Sequence, residues 1–289
     1  MVDAAKEAKK YFLDTEVIVH AGGLGEQWWP ITKGKIPKPL TCIGKNSRPI
    51  FDWVILPLVM AGTKKFFVSL WHNPEHLIKH CEELSSNIGI EFVFLREPAD
   101  KRLGRAGVIK HYLEQAVLDK NKPKLSMNGA DVLKINMLKV AAYHCDGLKK
   151  GFQTTVVCTN TEPSKFGKIK CNSTTAAVNY FEEKPMLHLP KGEFVNTGMF
   201  YFDSKLNKLL LEIKDSELPV DIESSSVMPK LCKTMRCLDC VEPIKSWLWF
   251  KTSKDFNTFK SCDLEKFFGI SSVEKYLGEF SNNNENMCE

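Results

Sequence analysis

Hydrophobic positions along the chain follow two periods, and their alternation sets out a succession of elements. Val17, Ile18 and Val19 are three β-branched residues in a row, the pattern of a strand buried on both faces. Residues 49–60 (PIFDWVILPLVM) carry apolar side chains at helical spacing, and Ala61-Gly62 ends that helix. Residues 65–70 read as a strand, 75–84 as a helix and 90–95 (IEFVFL) as a third strand. This β-α-β-α-β order predicts an α/β fold, a mostly parallel sheet with helices on both faces.

Beyond it, Leu103-Gly104-Arg105-Ala106-Gly107 opens a helix reaching about residue 118. Residues 124–127 form a short strand that enters Asn128-Gly129-Ala130-Asp131. A helix is predicted over 137–144 and a strand over 154–158. Lys168-Ile169 and residues 178–181 suggest an antiparallel pair, followed by a strand region at 194–202 (FVNTGMFYF). The last strand falls within 244–250, with a helix over 253–261. Residues 1–14 form a leading helix or remain frayed, one domain spans 15–265, and a C-terminal helix covers 266–280. The tail, 281–289, lacks apolar content and is expected to be disordered. No interior linker or internal repeat is visible.

Composition narrows the function classes. The formal net charge is +5 with Lys and Arg scattered along the chain, the pattern of solvated lysines and not of a nucleic-acid face. Residues 1–10 lack the apolar core of a signal peptide, and the longest apolar run, 54–61, is too short to span a bilayer. A cytoplasmic protein with no membrane partner is expected, its ten cysteines reduced. Cys232, Cys237 and Cys240 include a C-x-x-C, but no His follows at metal spacing, so reduced thiols are the expectation there too.

The candidate chemistry gathers in residues 17–44. After the first strand comes Ala21-Gly22-Gly23-Leu24-Gly25, a glycine turn able to bring backbone N–H groups close to a phosphate. Sixteen residues past Gly22 stands Lys38, held between Pro37 and Pro39, so its ammonium projects from a stiff loop. Strand, turn and rigid lysine describe a nucleoside triphosphate site. The dinucleotide fingerprint fails because Trp28 stands where a third glycine is needed. The P-loop fails because the chain has Gly34-Lys35-Ile36.

Gly22-Gly23-Leu24-Gly25, Pro30-Ile31-Thr32 and Pro37-Lys38-Pro39-Leu40 resemble the GGxGTRLxPLT and PKPL signature of sugar-phosphate nucleotidylyltransferases. Further segments resemble that family in order. Leu103 to Gly107 is similar to its LGTAG, Asn128-Gly129 to its NGD, Phe166-Gly167 to its aromatic-Gly step, and Glu183-Lys184-Pro185 to its EKP. Val195-Asn196-Thr197-Gly198 matches its N-x-G, and residues 247–252 (WLWFKT) resemble its WxDxGT. The resemblance implies a Rossmann-like, GT-A-like fold with a small antiparallel subregion on the sugar side. It also implies that a sugar 1-phosphate oxygen attacks the α-phosphorus of an NTP and releases pyrophosphate. In that reading Lys38 and Lys184 are catalytic. Ala21, Gly22, Gly23, Leu24, Gly25, Glu97 and Gly104 bind nucleotide. Gly167, Glu183, Lys184 and Asn196 bind the sugar phosphate, and Asp131 is the metal ligand for Mg²⁺. GTP is slightly favoured, because Glu97 lies where a carboxylate would accept from the N1–H and N2–H of guanine.

The chain departs from the family pattern where charge is handled. Glu26 and Gln27 stand in place of Thr-Arg, and Trp28 and Trp29 in place of Leu and a basic residue. Aligned without a gap, Ala130 falls on the first metal Asp, and Asp131 serves only if the turn shifts or bulges. Trp249 falls on the second, and an indole cannot ligate Mg²⁺. Arg105, Lys33, Lys35 or Arg102 are candidates for returning positive charge. Gln27, Ala130 and Trp249 therefore keep a second reading open: a catalytically degraded member that binds nucleotide or sugar nucleotide and regulates or scaffolds an active partner, with a homo-oligomer or an active paralogue as the expected partner. A GT-A glycosyltransferase is set aside for want of a D-x-D triplet.

Overall fold

Glu16–His20 (EVIVH) is the first strand, and Val17, Ile18 and Val19 are each fully buried in it. The computed structural model describes residues 2–159, 166–183, 194–239 and 245–280. The chain divides into two compact units. Met1–Ile18, Glu97–Met127 and Asn136–Pro243 form one, and Val19–Arg96, Asn128–Ile135 and Ile244–Glu289 the other. The fold class is α/β and Rossmann-like, a mixed sheet with helices.

The first unit is organised by the strand Phe194–Phe202, whose residues from Val195 onward are buried. It pairs antiparallel with Lys124–Asn128, with Thr154–Thr159 and with Lys168–Cys171. Lys168–Cys171 pairs antiparallel in turn with Val178–Glu182, as the pattern predicts, and Met235–Asp239 runs parallel to Thr154–Thr159. A register shift between Asn196 and Met199 bulges the central strand at its N-T-G segment, and Gly198 there takes φ 84°. Bulges re-aim side chains within a sheet. The leading segment is a helix, Val2–Asp14, beside Met137–Lys149. Its Tyr11 ring lies against His144 and Tyr201.

The second unit carries the parallel strands Lys65–Leu70 and Glu91–Arg96, in register from Lys65–Glu91 to Leu70–Arg96. Helices Ile50–Ala61 and Glu75–Ile88 alternate with them, as the sequence pattern predicts. Nine residues of Ile50–Ala61, from Ile50 to Leu58, are buried, so this helix needs no polar face. The helix ends on Gly62, whose φ of 103° closes the last turn. Asp52 in its first turn accepts from Arg48 Nε at 3.0 Å and lies 2.5 Å from His80 Nε2, tying the two helices together. Burial would raise the Asp52 pKa, but His80 and Arg48 overcome it and hold the carboxyl below its ordinary value.

Two expectations change. Residues 266–280 are not one helix but parts of two short ones, Leu264–Phe268 and Glu274–Leu277. Gly269 separates them at φ 73°, a conformation that ends a helix. Cys42 is disulfide-bonded, whereas compartment alone suggested ten free thiols. Cys232 and Cys237 are free, and Cys240 and the 281–289 tail lie outside the described residues. Among the described residues no helix is long and apolar enough to cross a membrane.

The Arg48–Asp52–His80 cluster yields a stability prediction. Arg48 and Asp52 side chains are 1% and 0% exposed, so Asp52→Ala leaves a guanidinium buried without its carboxylate. Loss of one partner of such a pair costs about 3–5 kcal/mol. Urea unfolding of the variant is expected to show a loss of that size.

Candidate functional site

In the second unit the glycine turn follows the first strand directly. The Ala21 amide donates to the Ser69 carbonyl at 2.9 Å, which pins the turn to the neighbouring strand. A Cβ on Gly22 would lie 2.7 Å from the Trp71 amide nitrogen, so only glycine fits there. Gly23 is exposed and Gly25 takes φ 63°, opening the short 3₁₀ helix Glu26–Trp28. The turn is thus bare of side chains on its open part, as backbone recognition of phosphate requires.

Trp28 is 1% exposed and connects this turn to the end of the chain's last strand. Its Nε1–H donates to the Phe250 carbonyl at 3.1 Å, and its ring meets Phe250 and Phe256 edge-on. The Lys38 ammonium rests 5.1 Å from the centre of the same indole. Pro37 at ψ 140° leads into the 3₁₀ turn Lys38–Leu40, in which Pro39 and Leu40 are buried. Lys38 is therefore fixed from below by buried neighbours and from the side by an aromatic face. Burial pulls its pKa down to about 8; Asp131 and Asp255 oppose that fall, and Lys251 adds to it.

Asp131 stands directly after a turn. The strand Lys124–Asn128 stops at Asn128, Gly129 and Ala130 form a turn, and Asp131 begins the strand Asp131–Leu133. The Gly129 amide donates to the His20 carbonyl at 2.8 Å, and a Cβ there would sit 2.9 Å from that oxygen. Asp131 is 4% exposed. Its Oδ2 accepts from Asn128 Nδ2 at 2.8 Å and lies 3.7 Å from Lys251 Nζ, while its Oδ1 has no hydrogen-bond partner. Directly across the strand pair stands Trp249.

Lys251 and Asp255 escaped the sequence reading. Lys251 follows the last strand, Trp247–Trp249, in the WLWFKT segment. Asp255 Oδ2 accepts from the Lys251 amide at 3.1 Å, the Thr252 amide at 2.7 Å and Thr252 Oγ1 at 2.9 Å. That is a capping box for the helix Ser253–Phe259, and Thr252-x-x-Asp255 is its readable signature. Nothing in the local sequence marks Lys251, because only the strand pairing brings it to Asp131.

These donors do not fit the expected magnesium site. Mg²⁺ wants oxygen ligands at about 2.0–2.1 Å in an octahedron, commonly one or two carboxylates with water and phosphate. Asp131 offers one oxygen, Trp249 offers none, and the Asp255 oxygen named above is spent on the helix cap. Among the described residues no group of three His, Cys, Asp or Glu is placed to hold a metal ion.

The first unit holds the remaining expected residues. Glu97 Oε2 accepts the Leu103 amide at 2.5 Å and the Gly104 amide at 3.3 Å, bracing the loop ahead of the helix Gly104–Glu114. Burial raises the Glu97 pKa, and these amides offset part of the rise. Gly104 takes φ 74°, and a Cβ on it would meet the Val220 carbonyl oxygen at 2.6 Å. Arg105 does not stand ready for a phosphate: its guanidinium bonds to Glu223 and lies 3.5 Å from Asp221. Burial disfavours its charge, but Glu223, Asp221 and Glu183 hold its pKa above the ordinary value. Lys33, Lys35 and Arg102 are exposed.

Asn196 is 5% exposed; its Nδ2 donates to Glu223 Oε1 at 3.1 Å and its Oδ1 accepts the Gly198 amide at 2.7 Å. The Asn196 amide donates to the Gly167 carbonyl at 2.8 Å, and a Cβ on Gly167 would meet Phe181 and Glu183 Oε2 within 2.7 Å. Glu183 and Glu223 both line a cavity of about 490 Å³ with Phe181, Ser224 and Met228. The unit therefore brings Gly167, Glu183 and Asn196 together. Glu223, which the sequence did not single out, links Asn196 to Arg105. Lys184 lies outside the described residues.

The chain is similar to known proteins. The nucleotidyl transferase family model matches residues 16–256. Mannose-1-phosphate guanylyltransferase 1 of Arabidopsis thaliana is 22% identical over 245 residues, 84% of this chain and 63% of that protein. Mannose-1-phosphate guanyltransferase beta-A of Xenopus laevis is 24% identical over 244 residues, with the same coverage. This chain thus spans about two-thirds or less of the length of such relatives. A putative glucose-1-phosphate thymidylyltransferase structure from Bacillus anthracis superposes with a TM-score of 0.67 at 16% identity, over 95% of this chain and 100% of that one.

Lys38 gives a prediction with a definite sign. Its pKa is about 8 in the folded protein against 10.5 ordinarily. Below the folded value the lysine is charged in both states, and burial of that charge opposes folding. Between the two values the unfolded chain holds the extra proton, so stability rises with pH. Urea unfolding of the parent and of Lys38→Met is expected to show the difference moving in the parent's favour from about pH 8 to pH 10.5.

Proposed function

Since the chain belongs to the nucleotidyl transferase family, we propose that it joins a sugar 1-phosphate to a nucleoside triphosphate, with GTP preferred, and releases pyrophosphate. The observation that carries this reading is Lys38 itself. Its ammonium is set between prolines, over Trp28 and near Asp131, on the unit whose glycine turn follows the first strand. The guanylyltransferase names of the relatives support GTP and a hexose phosphate. Glu97 lends GTP little, since its Oε2 serves its own loop.

In the proposed reaction a sugar phosphate oxygen forms a bond to the α-phosphorus as the bond from that phosphorus to the bridging oxygen breaks. The electron pair leaves with pyrophosphate, and no protein nucleophile takes part. Catalysis is alignment of two anions with charge neutralisation. Lys38 would face the triphosphate and the Gly22 to Gly25 amides would hold it. Glu183 and Asn196 would bind sugar hydroxyls beside Gly167, and Lys184 the sugar phosphate.

A second reading has an observation of its own. Gln27 is exposed where the family resemblance puts an arginine, and Trp249 stands opposite Asp131. Both changes favour a member that binds nucleotide or sugar nucleotide and regulates an active paralogue.

Pyrophosphate release from a panel of NTPs and sugar 1-phosphates separates the two, run with Mg²⁺, with Mn²⁺ and with EDTA. Turnover fastest with GTP, and lowered roughly 100- to 1000-fold by Lys38→Ala, is the expected outcome. Absence of turnover while GDP-mannose still binds by calorimetry would transfer support to the regulatory reading.

A further inference from the structure

We infer that the Lys251 ammonium takes the place of a divalent cation at Asp131, so that this protein binds polyphosphate anions without a metal ion. The inference rests on the triphosphate site proposed above and goes beyond it by assigning the site's counter-charge to Lys251.

Three placements carry it. First, Lys251 Nζ lies 3.7 Å from Asp131 Oδ2, the buried carboxylate of the site. A metal ion bound to that carboxylate at about 2 Å would sit beside an ammonium already drawn to it, and like charges at such spacing repel strongly where water is scarce. Second, the position facing Asp131 across the strands is Trp249, whose ring packs on Trp247 at 5.3 Å and Phe259 at 6.0 Å. A second carboxylate is replaced there by an apolar wall. Third, Asp255 binds the backbone amides of Lys251 and Thr252, so Lys251 leaves the chain from a capped and fixed position. Lysine supplies a point charge with donors that turn to suit a phosphate oxygen.

Lys38 and Lys251 interact electrostatically with each other and with Asp131. They form a pair of cations around one acid, an arrangement an incoming anion stabilises by relieving their mutual repulsion. Asp131 then orients Lys251 and needs no ion of its own. The ligand class is a nucleoside triphosphate, or the pyrophosphate or tripolyphosphate that shares its chain of anionic groups.

The test is calorimetric titration of the full chain with GTP and with tripolyphosphate, in EDTA and again in magnesium. Binding in EDTA at least as tight as in magnesium is expected. Lys251→Met is expected to weaken both ligands roughly 10- to 100-fold in Kd, the worth of a charged hydrogen bond. Binding that vanishes in EDTA, or a Lys251→Met protein that binds as the parent does, overturns the inference. Titration with Mn²⁺ alone, followed by electron paramagnetic resonance, compares the unaltered protein with Asp131→Asn: tight Mn²⁺ binding that the substitution abolishes overturns it as well. Metal-free binding with no pyrophosphate release in the earlier assay would sink the transferase reading and leave this inference standing. Failure of every polyphosphate to bind would sink both.

Discussion

Burial of the Trp28 indole is the constraint on which the geometry of the second unit's site depends. One ring satisfies its N–H on the Phe250 carbonyl, packs edge-on against two phenylalanines and presents a face to Lys38. It therefore ties together three pieces: the glycine turn just before it, the proline-flanked lysine, and the backbone one residue ahead of Lys251. A leucine at this position would fill volume but offer neither the donor nor the electron-rich face. The aromatic residue that looks foreign to the family signature is thus what Lys38 rests on.

Asp131 supplies the opposing constraint. A carboxylate 4% exposed carries a large desolvation cost unless charges or donors answer it. Asn128 and Lys251 answer one oxygen, and the other is left bare. Such a group is retained at a stability cost, which points to a role in placing charge and not in holding the fold. The buried Arg48–Asp52–His80 cluster of the same unit shows the contrast: there both carboxylate oxygens have partners, and the cluster joins two helices.

Much of this was legible in the sequence where local pattern and tertiary role coincide. Val17-Ile18-Val19 could only be an interior strand, and Gly22 and Gly104 stand where a Cβ would strike backbone. The Lys168-Ile169 and 178–181 pairing followed from alternation. What could not be read is what depends on strand register. Asp131 lay one place late in an ungapped alignment, and only the structure shows it buried at the start of a strand, beside Lys251. Lys251 looked like an ordinary polar residue because its meaning lies in Asp131, across a strand pair. Arg105 misled in the other direction: an arginine at the start of a helix suggested a charge available to phosphate, yet Glu223 and Asp221, more than a hundred residues away, already neutralise it. The 266–280 helix failed on Gly269, a glycine visible in the sequence whose positive φ ends the helix.

The departures from the family signature all change the charge at one expected site, and that is their physical interest. Losing an arginine at Gln27 removes one positive charge from a polyphosphate site, while losing a carboxylate at Trp249 removes the reason to import two. Adding Lys251 returns one charge, already attached to the chain and paired to the remaining acid. On the inference drawn above, the site has a weaker total field than one holding a metal ion, but it has no ion to acquire first. A phosphate arriving there would trade water for two lysines and the turn's amides. Because the cations are covalently fixed, the entropic cost of assembling them is met on folding and not on binding. Trp249 then has a consequence as well as a volume: it keeps the position opposite Asp131 apolar, so the charges that answer this acid are lysine ammoniums, with Lys251 3.7 Å from it.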